Sequence, residues 1–254
     1  MSDLVKVADH ENGVRVIALN RPPANALNPA MVATLREALN EAARQGVDGV
    51  VLTGQPGVFS AGLDVPELLR LDETGMRAFW TDFFGLLEQV AASPMPIVAG
   101  LTGHSPAGGT VIALFADYRI QARGPFQLGL NEVQVGLVVP PVIHEALVRL
   151  IGAYPAERHL VAGQMVDAES AQAVGLVDEV VEPDQVIQRA GDWLAEHLSM
   201  PRQAMLTTRA ICRKSLIESF KAPGAMDLDR FVEGWFSEET QQTMQALADR
   251  LRKA

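Results

Sequence analysis

The sequence predicts an α/β protein that ends in a helical region, and three observations carry that expectation. Short apolar runs of strand length alternate with longer segments of helical period. A strand, a loop of small residues and a helix follow one another twice, around residues 58–65 and again around 102–109. Beyond about residue 198, every pattern is helical. At 254 residues, with 48% apolar and 20% charged content, the chain is long enough for one large domain, or one domain with an appendage. The composition shift near 198 sets the expected division: residues 1–198 as the core carrying the candidate site, and 199–254 as a helical C-terminal region.

The elements follow in order. Leu4–Val7 and Val14–Leu19, separated by a stretch with the turn dipeptide Asn12-Gly13, read as a hairpin. Asn28 followed by Pro29 is a good N-cap and first-turn pair, and it opens a helix to about Arg44 with Met31, Leu35, Leu39 and Ala42 on one face. Val47–Thr53 reads as a strand whose apolar run, Val50-Val51-Leu52, suits burial on both faces. A helical pattern from Asp72 to Val90 precedes a strand at Ile97–Leu101, and a helix at Thr110–Phe115 follows the second small-residue loop. Asp117–Gln121 and Phe126–Leu128 read as short strands, and Asn131–Gly136 as a turn or short helix. Helices are expected near Pro141–Ile151, Pro155–Ala162 and Ala168–Val174, then a strand at Val177–Val181. From Asp184 to Leu251 the pattern is helical, broken at Met200-Pro201 and Ala222-Pro223-Gly224.

The net charge of −10 leaves no basic field to attract nucleic acid or an anionic membrane, so an anionic ligand must be held by local groups. A single cysteine, Cys212, excludes an internal disulfide and a thiolate metal cluster. The first residues lack the basic-then-apolar order of a signal peptide, and the longest apolar stretch, Val135–Ile143, is broken by Gly136 and prolines. A cytoplasmic protein is the expectation. HExxH, CxxC and Walker-type sequences do not occur, so neither metal chemistry nor nucleotide hydrolysis is suggested.

Val58–Val65 (VFSAGLDV) is the first stretch with chemical promise. A strand that stops in small residues and hands over to a helix leaves backbone N–H groups free to face a ligand that develops negative charge. A plain strand-to-helix turn would use the same residues, and for Gly108-Gly109 the plain alternative is tight helix packing. Glu132 sits in an otherwise apolar segment, where partial desolvation would raise its pKa toward the range useful for proton transfer, although an isolated glutamate is most often a solvated surface residue. Asp64 fits a first helical turn better than an acid catalyst. His104, Ser60, Ser105 and Asp117 do not form a hydrolytic triad pattern, because neither serine sits in a nucleophile elbow.

NRPPANALN at 20–28, FSAGLD at 59–64, GHSPAGG at 103–109 closing on Asp117-Tyr118-Arg119-Ile120, GLNEVQVGL at 129–137 and the late AxxVGLVDEVV run at 171–181 together resemble the enoyl-CoA hydratase/isomerase, or crotonase, superfamily. The forms FSAGLD, PAGG and GLNE-x-Q-x-G are most similar to those of mitochondrial-type 3,2-trans-enoyl-CoA isomerases. The resemblance covers nearly the whole chain. It implies a crotonase-like β-β-α spiral core with a helical C-terminal trimerisation region, in a homotrimer or a dimer of trimers. It also implies an acyl-CoA thioester as substrate, with coenzyme A part of that substrate and no separate cofactor.

On that resemblance, the N–H groups of Leu63 and Gly108 would hold the thioester oxygen as it becomes an enolate, each such donor being worth roughly 100- to 1000-fold in rate. Glu132 would take the carbon 2 proton and return it at carbon 4, with Asn131 fixing the substrate or the base. Backbone groups around Ala26-Leu27 and Ser60-Ala61 would hold the adenine and pantetheine parts of coenzyme A, Gly62 would belong to the substrate-binding loop, and Val65 would line the thioester region. Hydratases of the family employ a second glutamate to activate water, and the matching position here is Val111, whose side chain can neither activate water nor donate a proton. The isomerase is therefore the leading expectation. An enoyl-CoA hydratase and a non-catalytic acyl-CoA-binding scaffold are the alternatives. Arg21, Arg123, Arg209, Arg213 and Lys214 are the candidates for the phosphates. Phe79, Trp80, Phe83, Phe84, Trp235 and Phe236 are candidates for an acyl pocket, though aromatic residues at helical spacing more often fill a core.

Overall fold

The structure is a computed structural model that describes residues 3–10 and 13–252. Asn12 of the turn dipeptide lies outside the described residues. The flanking strands β1 (Val5–Asp9) and β2 (Val14–Leu19) pair antiparallel, with Val7 opposite Ile17. Helix α1 (Pro29–Arg44) starts where its cap predicts: the Asn28 side chain accepts from the Met31 N–H at 2.8 Å, and Met31, Leu35, Leu39 and Ala42 are buried.

From there the chain repeats one device. Strand β3 (Gly49–Thr53) runs into the short β4 (Gly57–Val58), followed by α2 (Val65–Leu68) and α3 (Glu73–Ala91). Strand β5 (Ile97–Leu101) runs into β6 (Gly103–Pro106), then α4 (Gly108–Leu114). Strand β7 (Tyr118–Ala122) runs into β8 (Leu128–Gly129), then a 3-10 turn at Glu132–Val135. The first strand of each pair joins one sheet and the second joins another. Among the described residues, the larger sheet has the order β1-β2-β3-β5-β7-β10, and the smaller has the order β4-β6-β8-β9. The fold is thus the α/β crotonase-like β-β-α spiral. Parallel strands β3 and β5 are buried along their whole length, which explains their unbroken apolarity.

Helices α5 (Pro141–Ile151), α6 (Ala153–Ala162) and α7 (Ala168–Val174) follow, with β9 (Met165–Val166) and β10 (Glu179–Val181) among them. Helix α8 (Val186–Leu198) lays Val186, Ala190 and Leu194 on one face of the large sheet against Val16, Val51, Val98 and Ile120. Then α9 (Arg202–Ser219) packs on α3 and α5, α10 (Leu228–Trp235) on α3, and α11 (Glu238–Leu251) on α2 and the Glu132 turn. Among the described residues no helix is long and apolar enough to cross a membrane.

The structure departs from expectation at several short strands. The second small-residue loop contains a strand: β6 is Gly-His-Ser-Pro, with no alternating or β-branched pattern, and its extended form comes from pairing with β4 and β8 on either side. The short strand β9 was not visible for the same reason, since only its pairing to β8 defines it. The strand expected from Val177 begins at Glu179. The chain is still closing α7 at that point, through Gly175 and a hydrogen bond from Leu176 N–H to the Ala171 carbonyl.

Candidate active site

The small sheet brings the two small-residue loops together. β4 and β6 are parallel neighbours with Val58 opposite His104, so the residues that follow each strand leave the sheet side by side. Leu63 and Gly108 lie a few residues beyond that pair. Gly62, at φ +80°, is the point of contact: a Cβ there would sit 3.1 Å from the Ala107 Cβ and 3.3 Å from the Gly108 nitrogen. The position therefore needs glycine both for its backbone angle and for the close approach.

Leu27 orients the Leu63 amide. Its N–H donates to the Gly62 carbonyl at 2.7 Å and its carbonyl accepts from the Asp64 N–H at 3.0 Å, a parallel bridge that uses the groups flanking Leu63 and leaves those of Leu63 itself on the other edge. Gly108 is the first residue of α4, where amides have no intrahelical acceptor. Among the described residues, neither the Leu63 N–H nor the Gly108 N–H has an acceptor. Ala107, just before Gly108, holds φ +45° and ψ −120°, a conformation that costs a non-glycine residue about 1–3 kcal/mol. Its N–H is fixed to the Gly129 carbonyl at 2.8 Å and its carbonyl to the Val111 N–H at 2.8 Å, so the strain is paid by well-made hydrogen bonds that aim the start of α4.

Leu63 and Gly108 both border a cavity of about 600 Å³. Glu132 borders it too, held at the start of the 3-10 turn that follows β8. Glu132 is 9% exposed, and among the described residues its buried Oε2 has no hydrogen-bond partner. Burial pushes the carboxyl up to about 7, offset in part by its own backbone N–H. A group poised there can both take and return a proton near neutral pH. Asp64 also borders the cavity, but its carboxylate caps α2 through the Glu67 N–H at 3.0 Å and pairs with Arg21 at 2.6 Å, which is the helix-end role its position suggested. Val111, on α4, presents an aliphatic surface to the same space.

Of the residues expected to hold substrate, Ala26, Ala61, Val65 and Asn131 line the cavity. Ser60 and Gly62 do not. The Ser60 hydroxyl is buried beneath the loop, donating to the Asn25 carbonyl at 2.8 Å and accepting from the Gly62 N–H at 3.2 Å. These two residues shape the loop and do not face the cavity. The hydrolytic constellation is not assembled: the His104 Nδ1 accepts from the Gln127 N–H at 3.1 Å, while Asp117 binds Arg209 at 2.7 Å and Arg213 at 3.1 Å. Those two arginines also donate to the carbonyls of Ser93 and Ala91, so both are committed to the interior. Arg123 pairs with Glu169 and Glu182, and Lys214 lies 3.7 Å from Glu218. Of the five basic candidates, Arg21 alone borders the cavity.

The acyl-pocket candidates divide. Trp80, Phe83 and Phe84 of α3 line the cavity, whereas Phe79 and Trp235 are core and Phe236 is exposed. The wall opposite was missed: Phe231 of α10, and Met244, Leu247 and Leu251 of α11. Phe231 lies between Trp80 and Phe84, with ring centroids at 5.6 and 5.4 Å. The stripe Thr240, Met244, Leu247, Leu251 has helical spacing and can be seen in the sequence, but nothing local says what that stripe faces. Among the described residues, no group of three His, Cys, Asp or Glu side chains is placed to hold a metal.

Comparison with known proteins bears on the same geometry. The chain is 32% identical over 246 residues to human mitochondrial enoyl-CoA delta isomerase 1, covering 95% of this chain and 81% of that one. It is 34% identical over 211 residues to a probable enoyl-CoA hydratase of Mycobacterium avium, covering 83% of this chain and 82% of the relative. The crystal structure of human mitochondrial delta3-delta2-enoyl-CoA isomerase superposes with a TM-score of 0.93 at 32% identity, over 98% of each chain. An enoyl-CoA hydratase from Mycobacterium ulcerans Agy99 superposes at 0.82 with 26% identity, over 92% of this chain and all of the other. The sequence model for enoyl-CoA hydratase/isomerase matches residues 9–253, and with the spiral fold and the paired loops this establishes that the chain belongs to the enoyl-CoA hydratase/isomerase family.

Proposed function

We propose that this member of the family is a 3,2-enoyl-CoA isomerase that needs no separate cofactor, coenzyme A being part of its substrate. The observation that carries the reading is Glu132: a buried carboxylate that has no ion-pair partner among the described residues, in a cavity where the carboxylate of Asp64 is tied to Arg21. The ionised Glu132 takes a proton from carbon 2 of a 3-enoyl thioester, and the electron pair of the broken C–H bond moves into the conjugated system, placing negative charge on the thioester oxygen. The N–H groups of Leu63 and Gly108 form the oxyanion hole that stabilises this charge. The protonated Glu132 then gives its proton to carbon 4, and the double bond is left between carbons 2 and 3. One base suffices, and no water is consumed. The aromatic and aliphatic wall from Trp80 to Leu247 suits a hydrocarbon acyl chain.

Hydration is the second reading, favoured by the likeness to the Mycobacterium avium relative, whose name is that of a probable hydratase. It asks for a second carboxylate to activate water, and Val111 stands where the resemblance puts that group. Assaying the purified protein on a 3-enoyl-CoA and on a 2-enoyl-CoA separates the two: 2-enoyl product from the first substrate supports the isomerase, and dominant 3-hydroxyacyl product from the second overturns it. Glu132→Gln should lower isomerisation by at least about 1000-fold while acyl-CoA still binds, the combined cost of losing a base and its proton return. Near-normal turnover of that variant removes Glu132 from the mechanism. Assembly as a homotrimer or dimer of trimers is part of the proposal, checked by the mass of the assembly in solution.

A further inference from the structure

The turn that carries Glu132 is hydrogen-bonded to the C-terminal helix through the Thr240 side chain. Thr240 of α11 is 1% exposed, and its hydroxyl donates to the Gly136 carbonyl at 2.8 Å. The same oxygen lies 3.0 Å from the Ser237 hydroxyl, whose oxygen also accepts the Thr240 N–H as the cap of α11. Gly136 closes the Glu132 turn at φ +78°, and its N–H donates to the Val133 carbonyl. A Cβ on Gly136 would come within 3.1 Å of the Thr240 Cα, so turn and helix are in backbone contact as well as hydrogen-bonded. The base and the start of α11 are therefore parts of one packed unit.

The same helix builds the acyl wall. Thr240, Met244, Leu247 and Leu251 recur at helical spacing, so a single stripe of α11 meets the catalytic turn at its first turn and the cavity along the rest. Besides the Glu132 turn, α11 packs on the short α2 and on α10. A hydrocarbon that fills the space beneath Met244 and Leu247 adds apolar contact to those that already seat the helix.

We propose that Thr240 is a positioning residue for Glu132, and that through it α11 couples occupancy of the acyl pocket at Met244 and Leu247 to the placement of the base. A long acyl chain packs on Met244 and Leu247, fixes α11, and through the Thr240–Gly136 hydrogen bond fixes the turn that presents Glu132. A short chain leaves that wall unfilled and gains no such ordering. Chain length is then expressed in kcat as well as in KM, because the contact acts on the base and not only on binding.

This inference rests on the isomerase reading for its assay, and the experiment separates the two. Wild type, Thr240→Val and Thr240→Ser are compared on a short-chain and a long-chain 3-enoyl-CoA, following both isomerisation and exchange of the carbon 2 protons in heavy water, with thermal melts to establish folding. In Thr240→Val the long-chain kcat should fall about tenfold, one hydrogen bond's worth, toward the short-chain value. KM should change little, the pH midpoint of kcat should move, and Thr240→Ser should restore wild-type behaviour. Thr240→Ala removes the same hydroxyl and replaces the valine variant if that one does not fold. An unchanged long-chain kcat, or an equal fall for both chain lengths, overturns the coupling. A wild type that exchanges protons but does not isomerise overturns the isomerase reading alone, and the Thr240 comparison is then made on exchange rates. A wild type that does neither overturns both.

Discussion

Glu132 holds its proton to about pH 7 because its carboxyl is buried beside apolar groups with one oxygen unpartnered. Only the ionised form can accept a proton, so kcat/KM for isomerisation should rise through about pH 7 and level off above it, falling tenfold per unit on the acid side. A pH–rate profile checks this. The same shift has a consequence for stability. An unfolded glutamate titrates near 4.5, so between that value and about 7 the folded chain binds the extra proton. The stability this contributes is fully present below the unfolded pKa and is lost as pH rises through the folded one, on the order of 3 kcal/mol across the window. Glu132→Gln cannot ionise. Its melting temperature should therefore climb relative to wild type between about pH 4.5 and about pH 7 and level off above, and a constant difference over that range would show that Glu132 is not the buried titrating group.

At the scale of elements, the site depends on how helices are pinned to the sheet. Asp117 sits between α4 and β7, receives the Ile97 N–H of β5 at 2.8 Å, and pairs with Arg209 and Arg213 of α9. Burial pulls the Arg213 guanidinium down to about 10, against the favourable pull of Asp117. Removing the carboxylate leaves two largely buried cations without their counter-ion. Asp117→Ala should cost about 3–5 kcal/mol in chemical denaturation, and a loss near zero would show that the backbone carbonyls alone hold α9. The element boundaries themselves were mostly readable, because Asn28-Pro29 and Asp72 cap α1 and α3 by local hydrogen bonds. Strands β6 and β9 were not readable, since short extended segments without alternation exist only where neighbours pair with them.

For the whole molecule, the C-terminal helices complete the cavity that the spiral begins. Phe231 of α10 wedges between Trp80 and Phe84 of α3, and Met244 and Leu247 of α11 close the remaining side. Phe231→Ala should lower stability by about 3–5 kcal/mol, as for other buried aromatic truncations. It should also shift kcat/KM across an acyl series toward longer or bulkier chains, and an unchanged preference would place the end of the chain elsewhere in the cavity.

The sequence alone was sufficient for the α/β class, the order of most elements, the two small-residue loops and the glutamate in an apolar segment, because caps, period and burial patterns are local properties of neighbouring residues. The resemblance of its motifs then named the family and assigned roles to Leu63, Gly108 and Glu132. Tertiary structure decided what these residues share. Pairing of β4 with β6 sets the Leu63 and Gly108 loops side by side, and return of α10 and α11 to α3 and the Glu132 turn builds the far wall. It also turned Ser60 inward and committed Arg209 and Arg213 to Asp117. Those outcomes depend on contacts between segments far apart in the chain, which no local pattern of side chains encodes.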